Sequence, residues 1–410
     1  MILPHTDFTG FSCGRVHLGV TGSVSAYRAI EIMRRLQRAG LSVSVTLTSS
    51  AQEFIQPLQF RSLTEAPVYE ALFARDQAEF AHLYPAGNCR SFLVAPCTAN
   101  ILAKHAHGLA DDLLSTQLLA FTSTIIHAPA MNPRLWHSFA VQNNISILRD
   151  QGICFVEPET GLMACGESGT GRLASTEEIF LTTLKSLMPQ DLSGLRVLVN
   201  LGPTQEPFDP VRYLTNPSSG IMGASIAIAA WLRGAAVTVI SGPVSSLWFP
   251  RFITPIYIQT AQEMHQACLD HSRTMNIICL TAAVCDFRFK DSFPDKVKKT
   301  SLDQAFSLPM GKNPDILADI GRQKKSGQIL IGFAAETSDP TNEARRKLQE
   351  KNLDMIVANR IDLPNSGFRS PMNQVMVLDR HGRVETWPTL PKSEISLRLF
   401  DWVFHAFVDV

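Results

Sequence analysis

Two hydrophobic periodicities alternate along the chain. Short apolar runs of strand length recur at residues 15–21, 42–48, 91–96 and 124–128. Between them lie stretches at 24–38, 98–107 and 113–120 whose apolar residues recur at helical spacing. Residues 144–148 (Asn-Ile-Ser-Ile-Leu) alternate apolar and polar and read as a fifth strand. A helix over 176–187 closes this half, and Pro189, Asp191 and Gly194 form a polar break after it. The same grammar then restarts, with strands at 195–201, 236–240, 276–280, 328–333 and 354–358 and helices at 221–233, 261–272 and 342–352. A last strand is expected over 374–378. Strand–helix alternation calls for parallel sheets covered by helices. The pattern therefore predicts two tandem α/β units, one over residues 1–189 and one over residues 190–410.

Charge and composition narrow the class. The 410 residues hold 37 Lys+Arg and 37 Asp+Glu, so no general attraction to nucleic acid or a membrane surface is expected. With 45% hydrophobic and 18% charged residues, the chain is too apolar for disorder. The longest apolar stretch, 221–232, is too short to span a bilayer and contains Gly223 and Ser225. The first thirteen residues lack a basic start, and Pro4, His5 and Asp7 interrupt them, so no signal peptide is read and the cytosol is the expected compartment. Eight dispersed cysteines without a CxxC pair point to reduced thiols rather than structural zinc.

Doubly wound sheets bind ligands at the carboxyl ends of their strands. Thr21-Gly22-Ser23-Val24-Ser25 follows the first strand. Gly22 permits a tight turn, the serines offer hydroxyls, and a helix start offers free amides, which together suit a phosphate. Plain serine capping is the ordinary alternative. No GxGxxG accompanies the turn. Thr98 and Asn100 stand at another helix start, after Ala95-Pro96-Cys97. Asn132, in the turn 129–136, can bond a carboxylate or an amide. Cys165 lies in 163–172 beside Gly166, Gly169 and Gly171, a composition that reads as a mobile loop. A thiol exposed there can act as an acid or a nucleophile. His82 offers an imidazole, a side chain that can carry a proton.

Over about residues 15–187 these segments resemble the flavin-containing cysteine decarboxylases, and among them the phosphopantothenoylcysteine decarboxylases. Pro129-Ala130-Met131-Asn132, the strand end 95–100 and Ala164-Cys165-Gly166 carry the resemblance. It implies a flavodoxin-like flavoprotein domain holding FMN through Gly22, Ser23, Val24, Thr98 and Asn100. It also implies His82 as catalytic base, Asn132 as ligand of the substrate carboxylate, and Cys165 as proton donor. Leu135 stands where that family usually has methionine, and Cys97 where it has alanine.

The second half has its own constellation. Arg212, Asn216 and Ser218-Ser219-Gly220 precede a helix, and Asp286 follows a strand in 281–287. Lys296, Lys298 and Lys299 make a basic turn, and Lys312-Asn313-Pro314-Asp315 opens another helix. Two basic turns near strand ends suit a triphosphate. With Gly332 to Thr337 these segments resemble the phosphopantothenate–cysteine ligases over about 195–360. The resemblance implies a doubly wound, Rossmann-like ligase domain using CTP and Mg2+, with no metal ligands legible. Asp286, Lys296, Asn313, Pro314, Phe333, Lys347 and Lys351 would bind the nucleotide. Lys296 would also stabilise phosphate charge, Asn216 would bind an acyl-cytidylate, and Arg212 would assist the second step. Ile221 stands where a lysine is common.

The two resemblances imply a bifunctional enzyme of coenzyme A biosynthesis. It would convert 4′-phosphopantothenate, cysteine and CTP to 4′-phosphopantetheine and CO2. The decarboxylase family forms trimers and the ligase family dimers, so a homo-dodecamer is implied. One alternative is a first half that binds flavin without turnover, against which His82, Asn132 and Cys165 argue. An NAD-dependent oxidoreductase is another, against which the missing GxGxxG argues.

Overall fold

A computed structural model describes residues 3–12, 14–73, 80–164, 166–245, 247–298, 307–336, 341–360, 367 and 370–407. The chain divides into two compact units, Thr9–Met188 and Met1–Phe8 with Pro189–Val410.

The first unit is built on strands β1 (Arg15–Val20), β2 (Ser42–Leu47), β3 (Val68–Tyr69), β4 (Ser91–Cys97), β5 (Thr124–Pro129) and β6 (Cys154–Phe155). They form one parallel sheet in the order β3-β2-β1-β4-β5-β6. The sheet is Rossmann-like when the two-residue edge strand β3 is counted and has the flavodoxin order when it is not. Every residue of β4 is buried, as a central strand covered on both faces requires. The helix Arg28–Arg38 turns Ala29, Ile32, Met33 and Leu36 inward, one face at helical spacing.

Two expectations for this unit are corrected. Residues 144–148 belong to the helix Phe139–Asp150, not to a strand. Ser138 caps it, and Val141, Asn144, Ile145 and Leu148 are its buried face. The Ile145-Ser146-Ile147 alternation is a local coincidence inside a helical stripe. The glycine-rich stretch is likewise not an open loop. Strands β7 (Glu159–Leu162) and β8 (Ser168–Arg172) pair as an antiparallel hairpin. Gly171 serves close packing there, because a Cβ would fall 2.1 Å from the Met131 carbonyl oxygen.

The second unit contains β9 (Arg196–Leu201), β10 (Gln205–Pro207), β11 (Tyr213–Thr215), β12 (Ala236–Ser241), β13 (Ile256–Tyr257), β14 (Ile277–Leu280), β15 (Phe287–Phe289), β16 (Met310–Lys312), β17 (Ile329–Glu336), β18 (Met355–Arg360), β19 (Met372–Asp379) and β20 (Val384–Pro391). Its main sheet runs β13-β12-β9-β14-β17-β18-β19-β20. The strands are parallel as far as β18, and β19 and β20 add an antiparallel edge. The helix Ile221–Leu232 is buried from Gly223 onward, which accounts for its apolar sequence without a membrane. Among the described residues no helix is long and apolar enough to cross a bilayer.

Residues 3–8 pack with the second unit, whereas the sequence pattern assigns them to the first. Phe8 is fully buried, His5 Nε2 lies 2.7 Å from the Trp248 carbonyl, and Ser393 Oγ donates to the Asp7 carbonyl at 2.6 Å. The physical reason is apolar: these residues cover the helices Ile221–Leu232 and Lys392–Phe407. Phe8→Ala is therefore expected to destabilise the second unit by about 3–5 kcal/mol while sparing the first. Urea unfolding followed by hydrogen exchange of each unit measures this; equal protection of 196–201 in both proteins would refute it.

Candidate functional site

In the first unit, the sheet order reverses between β1 and β4, which leaves a crevice at their carboxyl ends. Thr21 bridges it, donating to the Pro96 carbonyl at 2.7 Å and accepting from the Thr98 amide at 3.1 Å. Gly22 comes next, where a Cβ would fall 2.5 Å from Ser50 Cβ and 2.9 Å from its carbonyl carbon. Ser23 caps the 3-10 turn Val24–Tyr27, accepting from the Ser25 amide at 3.4 Å, and the two hydroxyls lie 3.0 Å apart. This glycine-hydroxyl turn fits a flavin phosphate, since it supplies donors and no acidic side chain.

A cavity of about 370 Å³ opens beside the turn. Ser23, Val24 and Asn132 of the expected residues line it, together with Tyr27, Arg28 and Ala164. Asn132 Nδ2 donates to Glu167 Oε2 at 3.0 Å, and its Oδ1 accepts from the Arg134 amide at 2.9 Å. Arg134 in turn reaches Glu167 Oε1 at 2.5 Å, so the tip of the β7–β8 hairpin is tied to the Asn132 turn. Cys165 lies outside the described residues, but its neighbour Ala164 lines the cavity. Gly22, Thr98 and Asn100 are not in that lining; Asn100 is exposed at the start of the helix Ala99–Ala106. His82 is half-buried in a turn with its ring 6.4 Å from that of Phe80, also away from the lining.

The second unit repeats the crevice at β9 and β14. Asn200, buried in an apolar strand, accepts through Oδ1 from the amides of Thr281 at 2.7 Å and Ala282 at 3.0 Å. A cavity of about 610 Å³ lies over these strand ends, within the range of small-molecule sites. Of the seven residues expected to hold nucleotide, six line it: Asp286, Asn313, Pro314, Phe333, Lys347 and Lys351. Asn216 lines it too, donating through Nδ2 to the carbonyls of Ala283 at 3.2 Å and Val284 at 3.1 Å. Asn313 Nδ2 donates to the Cys285 carbonyl at 2.8 Å, which fixes the Asp286 turn. Lys351 pairs with Asp315 at 2.7 Å. Burial raises the Asp315 carboxyl, but Lys351 and the Ala318 amide outweigh it and leave its pKa below the ordinary value. Ile221 also lines the cavity, an apolar residue at the helix start.

Arg212 and Lys296 are not in the lining. The Arg212 guanidinium is engaged by Asp209, with Nε 3.0 Å from Oδ2, and lies 4.9 Å from the Phe208 ring. It also donates to the Val297 carbonyl at 3.0 Å, while the Val297 amide donates to Asp209 at 3.2 Å. The pair thus anchors the turn carrying Lys296, which is exposed. The Arg212 hydrogen bond holds the Asp209 carboxyl well below the usual carboxylate range.

Several lining residues carry no sequence signal of their own. Asn200 is legible only as a polar residue in the apolar run 197–201. Asn359 lies on β18, Asn373 on β19, which pairs with β18, and Lys392 at the start of the last helix after β20, so the far edge of the sheet brings them to the cavity.

Comparison with known proteins gives the same two parts. Residues 12–188 match the family model described as Flavoprotein, and residues 192–407 match the DNA/pantothenate metabolism flavoprotein C-terminal domain. The "Coenzyme A biosynthesis bifunctional protein CoaBC" of Bacillus subtilis (strain 168) is 40% identical over 389 residues, covering 94% of this chain and 95% of the relative. The protein of that name from Haemophilus influenzae is 42% identical over 346 residues, covering 83% and 85%. The one from Escherichia coli (strain K12) is 38% identical over 371 residues, covering 90% and 91%. With both family models in this order and such identity over nearly the whole length, the chain belongs to the family of bifunctional coenzyme A biosynthesis proteins, a flavoprotein decarboxylase unit followed by a ligase unit.

Proposed function

We propose that the second unit condenses 4′-phosphopantothenate with cysteine at the expense of CTP, and that the first decarboxylates the product to 4′-phosphopantetheine. The observation that best supports this is the convergence of Asn216 and six of the seven expected nucleotide residues on one cavity at a strand-order reversal.

In the ligase half, the 4′-phosphopantothenate carboxylate attacks the α-phosphate, pyrophosphate leaves, and the cysteine amine then displaces CMP from the acyl-cytidylate. The start of the helix Ile221–Leu232, whose Ile221, Met222 and Gly223 line the cavity, faces phosphate charge. Lys347, on the helix Thr341–Glu350, and Lys351, just past its end, add cations. Lys296 reaches the phosphates from the turn that Arg212 and Asp209 anchor. Asn216 positions the acyl-cytidylate against the backbone it already holds. Among the described residues no group of three His, Cys, Asp or Glu can hold a metal. Mg2+ would enter with the triphosphate, whose oxygens supply part of its coordination.

In the decarboxylase half, the turn of Gly22, Ser23 and Val24, with Thr98 and Asn100, takes the phosphate end of FMN. FMN supplies there the reversible oxidation of the thiol-bearing carbon that makes loss of CO2 feasible. Asn132, held between Glu167 and the Arg134 amide, offers a fixed carboxamide to the substrate carboxylate. Cys165, in the sequence between β7 and β8, donates the final proton. His82 is the base, approaching from outside the cavity lining. Exposed Tyr27, Leu135, Phe139 and Leu162 leave apolar surface for a second copy of the chain; the assembly proposed is a trimer of this unit and a dimer of the ligase unit, together a dodecamer, in the cytosol.

Mass spectrometry of products from purified protein with FMN, Mg2+, CTP, 4′-phosphopantothenate and cysteine tests the whole reading. Phosphopantetheine and CMP are expected; accumulation of phosphopantothenoylcysteine would leave the first half a flavin-binding module. Cys165→Ser is expected to release CO2 but slow phosphopantetheine formation by about 100-fold or more, with an enethiol accumulating. Normal product yield from that variant would remove Cys165 from the mechanism. Arg212→Ala and Asp209→Asn are each expected to lower ligase turnover by roughly tenfold or more through loss of the same anchor, leaving decarboxylation of added phosphopantothenoylcysteine intact. Unchanged pyrophosphate release in both variants would show that the anchor does not serve Lys296.

A further inference from the structure

A chain of buried polar side chains runs through the first unit and ends beside His82. It starts at His17, in the middle of β1, which is fully buried. His17 Nδ1 lies 2.8 Å from Ser44 Oγ and its Nε2 2.9 Å from Thr46 Oγ1, both on β2. Thr46 Oγ1 lies 2.8 Å from Gln117 Oε1, and Gln117 Nε2 lies 2.9 Å from the Ala81 carbonyl oxygen. Gln117, on the helix Leu113–Ala120, has no exposed surface. Leu113, four residues earlier on that helix, shares a small apolar cluster with Ala81 and Tyr69. One helix face thus holds Ala81 both by its side chain and by its carbonyl. None of His17, Ser44, Thr46, Gln117 or Ala81 lines the cavity beside the Gly22 turn.

The far end of the chain sets the direction of every bond in it. A carbonyl only accepts, so Gln117 turns its amide nitrogen to Ala81 and its oxygen to Thr46. Thr46 spends its one hydrogen on Gln117 and must accept from His17 Nε2. Burial pushes the His17 pKa down to about 3, so the ring is neutral, carries that single N–H, and accepts at Nδ1 from Ser44. Removing any member strands its neighbours in the core. Apolar residues at these positions would avoid the cost of burying polar groups, so the chain answers a demand at its end. The residue after Ala81 is His82. Among the described residues, the other hydrogen bonds of 80–83 are local: the Leu83 amide donates to the Phe80 carbonyl at 2.9 Å and the Gly87 amide to the Leu83 carbonyl at 3.2 Å. Gln117 is therefore the fixed point of the backbone that carries the His82 ring.

We propose that Gln117 is a positioning residue for decarboxylation: through the Ala81 carbonyl it sets where the His82 imidazole stands, and His17 and Thr46 hold Gln117 in the one orientation that can do so. This inference rests on the reading of His82 as the base and deepens it. Proton transfer needs hydrogen-bond reach, and a misplacement of about 1 Å can cost on the order of 100-fold in rate. Gln117 touches neither substrate nor flavin in this arrangement, so its loss should lower kcat and spare both bindings.

The test uses the full chain with FMN and added phosphopantothenoylcysteine, following CO2 release in wild type, Gln117→Met, His82→Asn and the double variant. Gln117→Met keeps the length of the side chain and removes both hydrogen bonds. It is expected to lower kcat about tenfold or more, with KM and the FMN dissociation constant unchanged. In the His82→Asn background the same substitution should cost nothing further, because Gln117 acts only through His82. Amide hydrogen exchange over residues 81–84 should quicken about tenfold or more in Gln117→Met, while that of β4 stays as in wild type. Thr46→Val should reproduce the loss of kcat, and Thr46→Ser, which keeps the hydroxyl, should recover most of it; this pair decides the matter if Gln117→Met fails to bind FMN. Wild-type kcat in Gln117→Met overturns the proposal even if exchange quickens, and so does an equal loss in both His82 backgrounds. His82→Asn that releases CO2 at the wild-type rate defeats the base reading itself, which none of the other outcomes touches.

Discussion

A parallel sheet whose strand order reverses must part at one pair of carboxyl ends, and the backbone groups exposed there need partners. Both units meet that constraint with one buried side chain. Thr21 bridges Pro96 and Thr98 in the first, and Asn200 bridges to Thr281 and Ala282 in the second. Each bridge satisfies the strand ends internally, so the crevice stays open for a ligand without leaving its floor unpaired. The turns that would meet FMN and nucleotide, at Gly22 and at residues 281–286, hang directly from these bridges. Removing either polar group would strand buried donors at a cost of roughly 1–3 kcal/mol.

What surrounds each crevice is assembled from further along the chain. In the first unit, the β7–β8 hairpin docks on the Asn132 turn because a glycine at 171 lets two backbones touch. The salt link between Arg134 and Glu167 is largely exposed and adds little by itself. Its role is orientation, since Glu167 also takes the Asn132 amide. In the second unit, Arg212 works in the same way: its guanidinium is committed to Asp209 and Val297, which makes it an anchor for a basic turn rather than an open clamp.

The distribution of charge in the second cavity is also instructive. Lys351 is matched by Asp315, whereas Lys392 has the Gly367 carbonyl and, among the described residues, no carboxylate. A paired lysine can trade its partner for phosphate at small cost, because one anion replaces another. A buried lysine without a counter-ion gains more from any acceptor that enters.

The fold class, the two-unit organisation and most strands follow from periodicity alone, because a strand buried on both faces has to be an apolar run and its covering helix an apolar stripe. Turn chemistry at strand ends marked Ser23, Asn132 and Asp286 for the same local reason, and the family resemblance marked Asn216 and Asn313. Residues 144–148 deceived because a short alternation cannot be told from one flank of a helix until its longer stripe is seen packed. The glycines at 169 and 171 deceived because flexibility and close packing ask for the same residue. Only tertiary structure could return residues 3–8 to the second unit, turn Arg212 toward Asp209, or bring Lys392 and Asn359 to one cavity. Those placements depend on which distant surfaces bury one another, and no local spacing encodes that.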